Sequence, residues 1–241
     1  MVRGRNEQDE PRRLPRGRHA LAPEDVLADQ RQRLVDAVPR VIATHGYEAM
    51  SVADLVKAAA VSRNAFYNNF ADKRQCFVAA HEACHERLLA ILEEPCGRGS
   101  SAEERVETSL GAALAALASQ PDVARLLFVA APGAGEEIAL RHHEWLRRYG
   151  LLLHSAVTRV TEKPGPSGEL GQVIVGGLVT RVASEVLQGR VAQLRILTPH
   201  FVGYVLAFYA AEQADPGVSA VAALEPESPE YAAERRRQAG A

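Results

Sequence analysis

The sequence is poor in aromatic residues, with six phenylalanines, six tyrosines and one tryptophan among 241 residues. Its β-branched runs are short while alanine and leucine are abundant, which favours helix over strand. No uninterrupted apolar stretch approaches the roughly 20 residues that a membrane helix needs. Residues 1–26 lack the apolar segment of a secretory signal. We therefore expect an all-α, cytoplasmic protein that makes no membrane contact.

Cysteine is also scarce: Cys76, Cys84 and Cys96 are an odd number and have no CxxC spacing. This pattern argues against a disulfide framework and favours reduced thiols. The sequence also has no P-loop, HExxH, GxGxxG or nucleophile-elbow motif. We therefore expect a protein that is not an enzyme and uses no cofactor.

Proline, glycine and charge divide the chain into four segments. Residues 1–21 are rich in Arg, Gly and Pro and are expected to form a flexible basic arm, either a minor-groove arm or a solvated tail. Residues 22–78 contain short helical patterns, and 79–213 contain longer amphipathic ones at 102–119, 121–131, 134–160, 168–189 and 191–213. Residues 214–241 are expected to be a disordered tail, with at most a marginal helix near 229–238.

Residues 51–70 combine two short helical patterns with a tight turn between them. Ser51 and Asp54 have the spacing of a capping box, and Ser62 is placed as the N-cap of the second helix. Small apolar residues and aromatics on the inner faces supply a compact core. This is the helix-turn-helix pattern, whose second helix lies in the DNA major groove.

The second helix has one polar face. At about 100° per residue, Arg63, Asn64, Tyr67 and Asn68 share an outward arc while Phe66 turns inward. Arginine pairs with guanine and asparagine with adenine, and a tyrosine hydroxyl can bond phosphate. The alternative is a solvated polar helix of an unrelated bundle. The partner is predicted to be double-stranded DNA, contacted by Ser51, Ser62, Arg63, Asn64, Phe66, Tyr67, Asn68, Asn69 and Lys73, the last with free helix amides as an anion site.

The stretch from Ser51 to Phe77 resembles the N-terminal domain of the tetracycline-repressor (TetR) family. Residues in register with the family pattern are Ser51, Val52, Leu55, Val56, Ala59, Val61, Ser62, Phe66, Tyr67, Phe70, Lys73, Cys76 and Phe77. Three positions depart from it: Ala60 and Asn64 replace frequent glycines, and Asn69 replaces a frequent histidine. If the turn needs a positive φ at Ala60, alanine costs about 1 kcal/mol there.

The resemblance implies a regulator that binds a pseudo-palindromic operator as a homodimer and is released by a small, mainly apolar effector, most often a repressor. It also implies a ligand-sensing bundle beyond residue 80, with dimerisation through the last two long helices. An alternative is a DNA-binding protein whose second domain only dimerises, and another is that these helices are buried within a monomer. Small or apolar residues suited to the dimer interface are Val173, Gly176, Gly177, Thr180, Leu197, Phe201, Val205 and Phe208.

One apolar face of residues 136–157 carries His142 beside the single tryptophan, which suits a pocket with a few polar groups. His142 could equally be a satisfied core histidine. The predicted ligand-binding set is His81, Phe128, His142, Trp145 and Tyr149. His81, Cys84 and His85 have metal-ligand spacing on one helix face, but no fourth ligand is evident. We expect no metal, and a helical metal-binding protein or enzyme remains the alternative.

Overall fold

The computed structural model describes residues 22–96, 99–159 and 166–214, and every regular element in these ranges is helical. The all-α prediction is therefore confirmed. The predicted basic arm (1–21) lies outside the described residues, as does the predicted tail apart from residue 214. The α-helices are α1 Pro23–Ala49, α2 Val52–Ala59, α3 Arg63–Asn69, α4 Lys73–Cys96, α5 Ala102–Ser119, α6 Pro121–Arg125, α7 Glu136–Thr158, α8 Pro166–Leu187 and α9 Thr198–Ala214.

The break in α1 lies at Gly46 rather than at Pro39. Gly46 has φ 73° and ψ 170°, and it is the one residue of α1 outside the helical region. A glycine adopts this left-handed φ without a Cβ penalty, so the helix breaks there. Pro39 lies inside α1 and keeps helical dihedrals. Packing of the buried proline outweighs the one hydrogen bond that its missing N–H removes.

Helices α1, α2 and α3 pack around a small aromatic core, and α4 carries that core into the rest of the molecule. Phe66, Phe70 and Phe77 are fully buried and belong to one continuous hydrophobic cluster with the bundle residues. Phe77 lies in the first turns of α4, which continues to Leu88 in the bundle. A single helix therefore connects the two halves. We call α1 to α3 with the start of α4 the head.

The bundle is built from the remainder of α4 with α5, α7, α8 and α9. Helices α7 and α8 approach closely at Gly150 and Gly171: a Cβ on Gly150 would lie 2.7 Å from the backbone nitrogen of Gln172. Only glycine fits such a crossing. Two predicted α-helical segments differ in detail, because residues 126–133 form a π turn and a 3-10 turn, and Val191–Leu197 is a 3-10 helix preceding α9.

Two stretches of the described chain, Leu170–Leu187 and Val191–Ala211, are long and apolar enough to cross a membrane by length and composition. A third would join them if the bent pair of helices at 102–119 and 121–133 acted as one span. Both stretches are interrupted by charged residues such as Arg181 and Arg195, in keeping with the absence of an uninterrupted apolar run. Fewer than half of the residues of each stretch are buried, 44% and 22% respectively. An apolar and exposed surface of this kind is one that a partner could cover.

Candidate nucleic-acid interface and bundle interior

The turn between α2 and α3 is left-handed at Ala60, with φ 53° and ψ 46°. The Arg33 guanidinium donates to the carbonyl oxygens of Ala59 at 2.6 Å and of Ala60 at 2.7 Å. These bonds satisfy carbonyls at the end of α2 that have no partner within the helix. The positive φ expected at Ala60 is confirmed, and α1 holds the turn in place.

Serine residues cap both short helices. Ser51 and Asp54 form the predicted capping box, in which the Ser51 side chain accepts from the Asp54 amide and the Asp54 side chain accepts from the Ser51 amide. Hydrogen bonds from Ser51 hold the pKa of the Asp54 carboxyl below its usual range. The Ser62 hydroxyl accepts from the Ala65 amide at 3.0 Å. Both serines therefore fix the helix starts, which is a structural role whether or not they also touch DNA.

Helix α3 presents the predicted polar face to solvent. Arg63, Asn64, Tyr67 and Asn68 are exposed, with Tyr67 50% exposed. The Arg63 guanidinium lies 5.8 Å from the centre of the Tyr67 ring, on the same side of the helix. Phe66 is fully buried, so its inclusion among the DNA-contacting residues is wrong. Its ring packs in the head core instead.

Asn69 and Lys73 are engaged within the head. The Asn69 side-chain amide donates to the Ala65 carbonyl at 2.8 Å. The Lys73 ammonium donates to three carbonyls near the end of α1, those of Tyr47, Glu48 and Met50, at 2.9–3.3 Å. The anion site expected at Lys73 is therefore not free, since all three ammonium protons have backbone acceptors. Lys73 closes the end of α1 against the start of α4.

Polar contacts that the sequence analysis missed join α4 to α7. The Arg74 guanidinium lies 2.6 Å from the Glu137 carboxylate. The Trp145 indole N–H donates to the Glu82 carboxylate at 2.8 Å, and Arg141 reaches the same carboxylate at 3.5 Å. Nothing in local spacing signals these pairs, because their partners lie about 60 residues apart in sequence. They join α4 to α7 at two places.

An apolar cavity of about 90 Å³ lies inside the bundle between α4, α5, α7, α8 and α9. None of its lining residues is charged. Of the predicted ligand-binding residues, Phe128 and Tyr149 line this cavity, whereas His81, His142 and Trp145 do not. The lining residues are Leu88, Leu92, Val106, Ser109, Leu110, Ala113, Leu114, Leu117, Phe128, Tyr149, Leu152, Leu153, Ala156, Val175, Leu178, Val179, Val182 and Phe201.

A cluster of three buried histidines lies next to this cavity. His81 and His85 lie one turn apart on α4, with 3.1 Å between their Nε2 atoms, and His142 faces them from α7. The Tyr149 hydroxyl lies 2.7 Å from His85 Nδ1. Cys84 does not belong to this group as the HxxCH spacing suggested, because its Sγ accepts from Arg87 at 3.1 Å. The third histidine comes from α7 instead.

All three histidines are neutral at pH 7. Burial lowers the pKa of His81 to about 4, and the neighbouring His142 and Arg141 add to the effect. Burial likewise lowers the pKa of His142 to about 4. The pKa of His85 is lowered further still, chiefly by burial and then by the two other histidines. Because the cluster lies in a region of low dielectric constant, a charged imidazolium is strongly disfavoured there.

The residues predicted for a dimer interface separate into two groups. Val173 is 46% exposed, Gly177 and Thr180 are exposed, and Gly176 faces open space. Phe201 and Val205 are instead buried inside the subunit, and Leu197 and Phe208 are half-buried. The exposed side of α9 includes Tyr204 rather than Phe201 and Val205, so the prediction for those two residues chose the wrong face of the helix.

The head and the whole fold match known proteins to different extents. A family model described as bacterial regulatory proteins, tetR family, matches residues 34–80. The chain is 35% identical over 68 residues to the HTH-type transcriptional repressor Rv1474c of Mycobacterium tuberculosis and 31% identical over 75 residues to the HTH-type transcriptional repressor AcnR of Corynebacterium glutamicum. These alignments cover 28% and 31% of this chain and 36% and 40% of the two relatives.

The similarity in fold extends beyond the head. The structure of the transcriptional regulator FadR from Bacillus subtilis in complex with stearoyl-CoA aligns with a TM-score of 0.64 at 20% identity, over 72% of this chain and 96% of that one. The proteins matched are regulators and not enzymes, so the prediction of a non-enzyme is confirmed. The family model and the curated relatives both match the head, which is similar to the tetR family of bacterial regulatory proteins.

Proposed function

We propose that the protein is a transcriptional regulator that acts as a repressor and inserts α3 into the DNA major groove. The observation that supports this best is the division of α3 into a buried face at Ala65 and Phe66 and an exposed face of Arg63, Asn64, Tyr67 and Asn68. Arginine and asparagine are the side chains that read guanine and adenine bidentately. The relatives of the head carry the name repressor, and the same action is proposed here.

Two copies of the chain would bind one operator. A single head reaches few base pairs, whereas a two-fold dimer reads two half-sites about one helical turn apart or more. The exposed apolar surface of α8 and α9, with Val173 46% and Tyr204 40% exposed, is the surface proposed for dimerisation. The open space beside Gly176 would allow a helix of the partner to approach closely.

The proposed dimer has a matched test. Val173→Asp introduces a charge into the interface, so the solution mass should fall from that of two subunits to that of one. Leu140→Asp is the control, because Leu140 is 65% exposed on α7 and lies outside the proposed surface. A dimer that tolerates the Val173 variant as well as the Leu140 variant would exclude this interface.

The effector is proposed to be a molecule with an apolar chain that enters the bundle cavity. The uncharged lining excludes a strongly polar effector, and the FadR structure that shares this fold contains stearoyl-CoA. At about 90 Å³ the cavity is small for a long acyl chain, so binding would spread α4, α5 and α8. Movement of α4 would change the spacing of the two heads and lower operator affinity.

Thermal-shift titration with acyl-CoAs of increasing chain length tests the effector proposal. Ala113 lines the cavity and Ala112 is its neighbour on α5 outside the lining, so Ala113→Phe and Ala112→Phe form a matched pair. Only the first should abolish the thermal shift and the release from DNA. If no apolar ligand shifts the wild-type protein, the second domain serves dimerisation alone.

DNA binding is tested by selecting bound sites from random duplexes and then titrating the enriched site. Arg63→Ala should weaken binding to that site by about 1–3 kcal/mol and relax base preference at one position. The control is Lys57→Ala, an exposed cation on α2 away from the α3 face. Tyr67→Phe should weaken binding to all sequences alike, as expected for a phosphate contact. Absence of any enriched sequence would overturn the proposed function.

A further inference from the structure

The three imidazoles of His81, His85 and His142 converge in the bundle interior. One ring nitrogen from each lies within 4.8 Å of the other two, and each side chain is at most 6% exposed. The residues come from two helices that α4–α7 packing holds together. Three titratable, metal-ligating groups at one buried point need an explanation, because burying polar atoms costs free energy unless they are bonded.

Two of these nitrogens lack a bonded partner. His81 Nδ1 and His142 Nδ1 are both buried and have no hydrogen-bond partner within the described part of the chain. An unpartnered buried polar atom costs about 1–3 kcal/mol. The Nε2 atoms of His81 and His85 face each other at 3.1 Å, and only one of them can carry the proton between them. The cluster is therefore poorly satisfied by the protein alone.

Aromatic packing accounts for the ring faces but not for the nitrogens. His85 stacks on Trp145 with 5.0 Å between ring centres, and His81 stacks on Phe77 at 6.4 Å. Stacking of this kind covers the faces of the rings. The Nε2 edges of His81 and His85 remain directed at each other, 3.1 Å apart. Apolar packing alone would be served as well by phenyl rings at these positions.

Tyr149 orients His85 for ligation. The Tyr149 hydroxyl can donate to the His85 carbonyl oxygen at 3.4 Å, which leaves its oxygen free to accept from His85 Nδ1–H at 2.7 Å. In that tautomer the lone pair of His85 is on Nε2 and points at His81. A metal-binding histidine usually donates its other N–H to an oxygen in the same way.

We propose that His81, His85 and His142 bind one divalent transition-metal ion, with Zn²⁺ as the expected occupant. Three imidazoles with a remaining position for water or another small ligand are a known zinc set, and imidazole suits Zn²⁺ and its first-row neighbours. Two nitrogens at tetrahedral positions about 2.0–2.1 Å from zinc are about 3.3 Å apart, close to the 3.1 Å between His81 and His85. The ion would replace the proton shared by the Nε2 atoms of His81 and His85. A rotation of the His142 side chain would bring one of its ring nitrogens to the same ion.

The surroundings of the cluster are compatible with a cation. Two guanidinium groups of α7 act on the cluster. Arg141 is paired with the carboxylates of Glu82 at 3.5 Å and Glu137 at 3.4 Å, and Arg148 lies over the Trp145 ring, 3.9 Å from its centre. The imidazoles are neutral, so protons do not compete with the metal at pH 7. The ion would cross-link α4 to α7, the two helices that also carry the Arg74–Glu137 pair.

Titration of Co²⁺ into tag-free, metal-stripped protein tests the proposal. We expect saturation at one ion per chain with the intense visible bands of four-coordinate Co²⁺, and displacement of these bands by Zn²⁺. X-ray absorption of the zinc-loaded protein should show three imidazole ligands. A spectrum with only oxygen ligands, or no uptake at stoichiometric metal, would overturn the site.

Neighbouring histidines on α7 supply a matched pair of variants. His142→Asn should abolish the Co²⁺ bands, whereas His143→Asn should retain them, because His143 is exposed and bonded to Gln172 at 3.0 Å. Tyr149→Phe keeps all three ligands and should weaken the metal affinity by about 10–100-fold. Equal bands in both histidine variants would assign the metal to the surface and end the proposal. If His142→Asn fails to fold, the number of imidazole ligands that X-ray absorption finds in the zinc-loaded wild-type protein tests the site instead.

Discussion

The head and the bundle interior treat their polar groups in opposite ways. On α3 the polar side chains face solvent and the helix ends are capped by neighbours three residues away, as Ser62 caps Ala65. In the bundle, imidazoles are buried and contact partners far along the chain, as His85 contacts Tyr149. Exposed polar groups cost the fold little, whereas buried ones cost stability and therefore indicate a binding role.

The largest expected effect separates two adjacent residues of the head. Phe66→Ala removes a fully buried ring and should lower the free energy of unfolding by about 3–5 kcal/mol, abolishing DNA binding with it. Tyr67→Ala, one position on, should leave stability within about 0.5 kcal/mol because half of its side chain is exposed. Urea unfolding at pH 7, followed by far-UV circular dichroism, measures both. Similar losses for the two variants would contradict the assignment of the α3 faces.

The second prediction concerns acid stability of the bundle. His81 and His142 have a pKa near 4 in the folded protein, below the ordinary value of 6.5, so the unfolded chain takes up protons first as the pH falls. Stability that is complete above pH 6.5 is therefore lost progressively between pH 6.5 and pH 4. Each of the two histidines should cost about 2 kcal/mol between pH 7 and pH 5.

The matched variant for this experiment is His142→Asn, which keeps a polar side chain without a titrating proton. Urea unfolding of metal-stripped protein at pH 7 and pH 5 should show a smaller acid loss in the variant by about 2 kcal/mol. His143→Asn, on the exposed side of α7, should behave like the wild type. An unchanged pH dependence in His142→Asn would mean that folding does not lower the pKa of His142.

The sequence predicts the local structure of the head better than it predicts the contacts inside the bundle. The capping box at Ser51 and the exposed arc of α3 depend on neighbours within a few residues, so spacing alone predicts them. The left-handed turn at Ala60 is suggested instead by the glycine that the tetR family usually has there. His142 joining His81 and His85 depends on how α7 docks on α4, and the local HxxCH spacing pointed to Cys84 instead. Helix α9 shows the same limit: nearly every face of it is apolar, so periodicity could not tell the buried Val205 from the exposed Tyr204.

A smaller effect is expected at the start of α3. Ser62→Ala removes the hydroxyl that accepts from the Ala65 amide and should cost about 1 kcal/mol of stability. Ser62→Asp is the conservative control, since aspartate caps as well, although its charge would repel DNA phosphates. Stability should therefore return in the aspartate variant while DNA affinity does not. If the alanine variant loses only DNA affinity, Ser62 acts mainly as a phosphate contact.

The smallest predicted effect has the opposite sign. Ala60 adopts the left-handed region, which costs an alanine roughly 1–2 kcal/mol, whereas glycine enters it freely. Glycine also gains entropy in the unfolded chain, which offsets about 0.4–1 kcal/mol of that benefit. Ala60→Gly should therefore stabilise the head by about 0.5 kcal/mol, while Ala58→Gly, within helical α2, should destabilise it by about 1 kcal/mol. Hydrogen exchange of the α2 and α3 amides measures both. Slower exchange in the Ala60 variant with unchanged DNA affinity would show that the strained turn affects the stability of the head and has no part in DNA binding. Slower exchange with weaker DNA binding would instead show that the strained turn holds α3 at the angle that reading DNA requires.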